Sequence, residues 1–258
     1  MIVILSPAKT LDFKTESVTG SMSQPLFQDD IAYLVGKLKK LSVKQIASLM
    51  KVSNEIAELN YQRFQGFDSE FHGGNSKQAV LAFTGEVYRG LAASTFSEPN
   101  FEFAQKHLRI LSGLYGVLRP LDMIQPYRLE MGSRLQINPN EIGLYNYWGD
   151  RLRLNLEEQT SDSFILNLAS NEYLKGAQPK KLQVPLINCH FKELRGKEYK
   201  PLMTYAKNAR GAMAKYIIKN EITDIEGVKG FDLNGYRYHE SLSKNNELTF
   251  TRDKIPTT

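Results

Sequence analysis

Apolar positions follow two rhythms along this chain. Runs dominated by apolar or β-branched residues occur at Ile2–Leu5, around Leu108 to Leu111 about Arg109, at 163–169 (SFILNLA) and at Leu186 to Phe191. Short apolar runs bounded by turn residues predict buried strands, and Ala79 to Phe83 (AVLAF) reads the same way. Elsewhere the period is helical. From Gln28 onward, Ile31, Leu34, Val35 and Leu38 share one face, with Lys37, Lys39 and Lys40 off it. Ser42 to Gln45 is a capping-box pattern that restarts a helix with Ile46, Leu49 and Met50 as its apolar face. After Lys51-Val52-Ser53-Asn54 the period resumes through Ile56, Leu59 and Phe64, with Ser53 as the N-cap.

Further along, Ser97-Glu98-Pro99 opens a helix that runs to Lys106, with proline in the first turn where it is tolerated. Leu152, Leu154 and Leu156 mark another helix. Met203 to Asn220 is a long one, with Ala206, Ala209, Met213 and Ile217 inward and small residues that admit a close backbone neighbour. Thr223 to Glu226 is a further capping-box pattern. Residues 235–242 and 247–252 predict a hairpin closed by Lys244-Asn245-Asn246. The polar stretch 14–26 predicts a mobile surface loop. This order predicts an α/β fold: one domain over 1–258, a central mixed sheet surrounded by helices, and a helix-hairpin-helix-like element from the Ser42 capping box to Phe64.

One segment fits no ordinary connector. Residues 111–132 (LSGLYGVLRPLDMIQPYRLEMG) are long, mostly apolar and punctuated by Gly, Pro, Arg and Glu. A strand runs into Ser112-Gly113, Pro120 and Pro126 forbid a long helix, and Tyr127 to Met131 reads as a short strand. Two readings fit. In one, the segment floors a cleft and presents Arg119, Arg128 and Glu130 to a ligand. In the other it is a structural crossover whose arginines pair with Asp122 and Glu130.

Composition narrows the function classes. The chain has 258 residues, 41% of them apolar and 24% charged, with one cysteine and a formal net charge of +5. No disulfide framework is available, no apolar run reaches membrane-span length, and the first residues lack a signal-peptide pattern, so the expected compartment is the cytoplasm. The charge is uneven. Across 175–219, eleven lysines and arginines stand against Glu193 and Glu198, which predicts an anion-binding surface or, more blandly, a solvated basic face.

Candidate chemistry is sparse. His72, His107, His190 and His239 are scattered, Cys189 sits in a strand, and no metal-ligand spacing, nucleophile elbow or dinucleotide fingerprint occurs; no metal or cofactor is expected. Trp148 reads as a core anchor. Polar residues do collect at strand ends, where open α/β sheets bind ligands: Ser6, Lys9 and Thr10 after the first strand, and Ser170, Asn171, Glu172 and Tyr173 after a later one. In an enzyme acting on a nucleotide or damaged base, the catalytic candidates are Glu130, Asn171, Tyr173 and Tyr88. The turn at Lys51, Ser53 and Asn54 resembles a phosphate-binding helix hairpin, except that Ser53-Asn54 replaces the glycine usual after the apolar residue.

The segments ILSPAKTLDF, FTGEVYRGL, FAQKHLRILSGLYGVLRPLDMIQPYRLEMG, NLASNEY and YAKNARGAMAKYII, in this order, resemble the YaaA family of bacterial peroxide-stress proteins over essentially the whole chain. The resemblance implies a helix-hairpin-helix-like element and a positively charged cleft. It also implies binding to double- or single-stranded DNA with little sequence preference, and a part in lowering unincorporated iron. Carried onto this sequence, the hairpin is Lys51 to Asn54 and the cleft candidates are Lys9, Arg119, Arg128, Lys207 and Arg210. Membrane partners are not implied.

Overall fold

A computed structural model describes residues 1–160 and 163–254. The chain opens with β1 (Ile2–Leu5), α1 (Gln28–Leu38), α2 (Val43–Met50), α3 (Asn54–Gln65), β2 (Lys77–Gln78), α4 (Ala79–Ala82) and α5 (Glu86–Leu91). It continues through α6 (Glu98–His107), β3 (Leu108–Ser112), β4 (Gly116–Leu118), β5 (Met123–Ile124), β6 (Gln136–Asn138), β7 (Glu141–Ile142), α7 (Leu144–Trp148) and α8 (Arg151–Thr160). It closes with β8 (Ile165–Asn167), α9 (Asn171–Gly176), β9 (Leu186–Arg195), β10 (Glu198–Lys200), α10 (Met203–Lys219), α11 (Ile225–Lys229), β11 (Arg237–Tyr238) and β12 (Glu247–Arg252).

Eight strands form the central sheet, in the order β11-β12-β9-β8-β1-β3-β4 with β10 paired to β9. β1 lies between β3 and β8 and runs parallel to both. β9 and β12 continue the parallel part, while β4, β10 and β11 are antiparallel additions. The expected α/β class with a mixed sheet is the observed one. β1 carries no polar residue and every position in it is buried, as a strand covered on both faces requires.

The order of strands has a direct consequence. The chain leaves β1 and next enters the main sheet at β3, on one side; it leaves β8 and next enters at β9, on the other. Their connections therefore diverge, and a crevice opens between the carboxyl ends of β1 and β8. This topological switch point is where open α/β sheets hold ligands.

Several local expectations need correction. Ala79 to Phe83 is not a strand but the short helix α4; a four- or five-residue apolar run has no period with which to separate the two. Tyr127 to Met131 forms no ladder. Its backbone folds instead over Gly113, where a Cβ would stand 2.4 Å from the Leu129 carbonyl oxygen. The cap of α11 is Asp224 rather than Thr223, its carboxylate accepting from the Gly227 amide at 2.8 Å. Loop 14–26 is tied down: the Gln78 amide donates to the carbonyls of Thr19 and Ser21, and Arg119 donates to that of Gln24. The turn at Lys244 and the β11–β12 pairing form as predicted, but β12 also aligns parallel to β9.

Candidate functional site

Three pieces of chain meet at the switch point and enclose a cleft of about 570 Å³. The first is the segment after β1, Ser6 to Thr10. The second is the junction of β8 and α9, Ser170 to Tyr173. The third is the α5–α10 pair, which contributes Tyr88, Lys207 and Arg210. Ser6 latches the first two together, since its hydroxyl accepts from the Ser170 amide at 2.8 Å. Thr84 donates to Thr10 at 2.9 Å and closes the rim.

The third wall depends on glycine. At Gly211 of α10 a Cβ would lie 1.7 Å from the Val87 carbonyl oxygen, and at Gly90 of α5 one would lie 2.1 Å from that of Asn208. No other residue fits either position without moving a backbone. This contact, buried along Ala209 to Ala214 on α10, sets where Lys207 and Arg210 project.

Lys207 is exposed; Arg210 is half-buried. Burial pushes the Arg210 guanidinium below its ordinary pKa, and its only resolved charge neighbour is the Cys189 thiol. Burial pushes that thiol up as well, well beyond physiological pH, so it carries no charge to pair with. Among the described residues Arg210 has no ion-pair partner. An arginine kept in this way beside a cleft is a ready ligand for phosphate or carboxylate.

The carboxylates nearby are engaged. Glu86 pairs with Arg89, and Glu172 accepts from the Gly132 amide at 3.0 Å. Glu130 lies behind the lining and holds Lys9 at 2.7 Å and Arg128 at 3.4 Å. The phenols are engaged too. Tyr88 donates to the Ser6 carbonyl at 3.0 Å, and burial raises the pKa of Tyr88 and Tyr173 far beyond the usual phenol range. Both stay protonated and neither serves as a base; Tyr88 is the fixed donor of the two. Asn171 is exposed at the rim.

The candidates thus separate by position. Lys9, Tyr88, Asn171, Tyr173, Lys207 and Arg210 line one cleft. Glu130 and Arg128 stand one ion pair behind it. Arg119 does not face the cleft: its Nε is 3.0 Å from Asp122 Oδ1, and its terminal nitrogen reaches the Gln24 carbonyl at 2.8 Å. Asp122 is fully buried and also accepts from the Arg119 amide, so the crossover reading holds for that half of residues 111–132. The stretch does not floor the cleft; it reaches the lining through Glu130, which pairs with Lys9, and through the Gly132 amide, which donates to Glu172.

Lys51, Ser53 and Asn54 lie on the exposed turn between α2 and α3, outside the cleft lining. Ser53 accepts from the Ile56 amide at 3.4 Å, which occupies a helix-end donor that a phosphate would otherwise use. Thr84 and Met203 are lining residues that sequence reasoning passed over. Thr84 had a signal, a hydroxyl before Gly85 in a turn; Met203, an exposed apolar residue opening a helix, had none.

A cleft between diverging strand ends, a glycine-set helix pair behind it and an unpaired arginine on its wall all come from segments that also carry the sequence resemblance. The model of the family described as peroxide stress protein YaaA matches residues 1–242, and the chain belongs to that family.

Proposed function

We propose that this protein acts in the peroxide stress response by binding DNA, with phosphates seated against Lys207 and Arg210 and steadied by Lys9 and Asn171. The observation that carries the reading is Arg210, a half-buried guanidinium with no carboxylate among the described residues to neutralise it, on the wall of a cleft at the switch point of the sheet. A cation desolvated by folding is stabilised most by an anion that enters the same site. The contacts are to backbone charge, so the expected binding is tolerant of sequence and steep in salt. No helix among the described residues is long and apolar enough to cross a membrane, and the proposed place of action is the cytoplasm.

Binding DNA and lowering unincorporated iron serve one end. Ferrous iron reduces peroxide to hydroxyl radical, and radicals formed beside DNA damage it; covering the strand protects the target, and less iron removes the reductant.

The test is fluorescence anisotropy on duplex and single-stranded oligonucleotides across about 50 to 200 mM salt. Affinity should fall steeply with salt, and K207A with R210A should weaken binding to all sequences alike. Affinity independent of salt, or untouched by the double variant, overturns the reading.

A further inference from the structure

α9 carries a second surface that the cleft does not use. Asn171, Leu174 and Lys175 follow at helical spacing on one face of α9, and together with Gln178, just beyond the helix end, they line a separate groove of about 630 Å³ completed by Pro179, Lys180 and Lys181. Asn171 belongs to both the groove and the cleft, so the two spaces meet at that residue. The groove has an apolar floor, Leu174 and Pro179, and a rim of exposed lysines at 175, 180 and 181. The side-chain oxygen of Gln178 is buried and has no hydrogen-bond partner, although Gln178 itself is held in a left-handed backbone conformation at φ 47°.

We infer that a single DNA strand bound in the cleft passes over Asn171 and continues along α9 into this groove, its phosphates on Lys175, Lys180 and Lys181 and its bases on the floor. The inference rests on the DNA-binding reading and names the form of DNA and its path. A duplex keeps its bases stacked inside and offers only phosphates. An apolar floor between lysines suits unstacked bases, whose faces are apolar and whose backbone is anionic. Of the rim lysines, Lys175 lies 4.6 Å from the Tyr145 ring centre and Lys181 is 3.7 Å from Asp150; both contacts are exposed and yield readily to a phosphate.

The experiment compares wild type, K180A/K181A and R210A on fluorescein-labelled dT3 and dT12. The lysines are exposed, and thermal melts check that the fold is kept. K180A/K181A should weaken dT12 about tenfold and leave dT3 within about twofold, while R210A weakens both. The slope of log affinity against log salt for dT12 should become shallower by about 1.4, the loss of two phosphate contacts on a single strand. If R210A weakens both oligonucleotides and K180A/K181A weakens neither, or weakens both equally, the cleft still binds DNA but the path along α9 is wrong. If wild type binds neither oligonucleotide nor duplex, the DNA reading fails and the path falls with it.

Discussion

Glu130 Oε1 lies 2.7 Å from Lys9 Nζ, so the carboxylate of the 111–132 stretch neutralises a cation at the end of β1. The same oxygen serves Arg128 at 3.4 Å. The lysine side chain is 62% exposed and the carboxylate 28%, so the pair itself contributes no more than about 1 kcal/mol to stability. Its effect on the cleft is larger, because it holds down positive potential where an anion would enter. E130Q should therefore bind DNA about two- to fivefold more tightly at low salt, with a salt dependence steeper by about one phosphate contact. A weaker-binding E130Q would mean that Glu130 aims Lys9 at the ligand instead of restraining it.

Arg119 answers differently. Its guanidinium and its own amide both bind Asp122, which is fully buried and also accepts from Ser23 at 2.7 Å. Burial raises the Asp122 pKa above the ordinary value, against the pull of those hydrogen bonds and of Arg119. Replacing Arg119 leaves a buried carboxylate without its counter-ion, at a cost of about 3 kcal/mol. R119M should lower the melting temperature clearly at neutral pH, and less at low pH, where a protonated Asp122 needs no counter-ion. DNA affinity measured below the melt should be unchanged, whereas a loss there would bring Arg119 back to the binding surface.

Much of this architecture could be read from local pattern. The boundaries of α1, α2 and α3, the Ser42 capping box and the Ser53 cap follow from spacing alone. Trp148 is a core anchor as expected, fully buried and donating to the Gly113 carbonyl at 3.0 Å. What pattern did not carry was partnership. Arg119 and Arg128 look alike in sequence, each within two residues of a proline and near a carboxylate, yet only the path of the backbone after β4 turns one toward Gln24 and the other toward Glu130. The small residues of α10 announced a close neighbour, but nothing local identified α5 as that neighbour. The parallel alignment of β9 with β12 joins Asn188 to Glu247 across a long span of chain, beyond the reach of any hydrophobic period.

The α5–α10 contact is the most exacting in the cleft. A methyl group at Gly211 would overlap the Val87 carbonyl oxygen, which cannot move without displacing Tyr88 and its bond to Ser6. G211A should cost about 3 kcal/mol or more, at the upper end for overpacking because the obstacle is backbone. It should also weaken DNA binding, since relief by separating the helices shifts Lys207 and Arg210. Thermal melts and anisotropy on the same preparation check both effects. A G211A protein with wild-type stability would show that α5 and α10 stand further apart than this packing requires.

The buried phenols set the alkaline limit of the fold. Tyr88, Tyr115, Tyr127 and Tyr173 are all buried, and burial raises each of their pKa values far above 10. The unfolded chain releases these protons near pH 10, while the folded chain retains them. Above pH 10 the folded state therefore binds more protons than the unfolded one, and stability falls as pH rises. Below pH 10 the contribution is complete and the pH dependence from these groups vanishes. At pH 11 each phenol costs about 1.4 kcal/mol, so the four together remove about 5 to 6 kcal/mol, a large part of the 5–15 kcal/mol typical of a folded protein. Tyrosinate absorbance near 295 nm should rise gradually for exposed residues and then jump cooperatively together with loss of helical ellipticity. Y127F, which removes one such proton while keeping the ring, should shift the alkaline midpoint upward. It also breaks the 2.6 Å bond to Ser112, so its stability at pH 7 should fall by about 1 kcal/mol. Gradual ionisation of every tyrosine with no unfolding step would mean that water reaches these phenols in the folded protein.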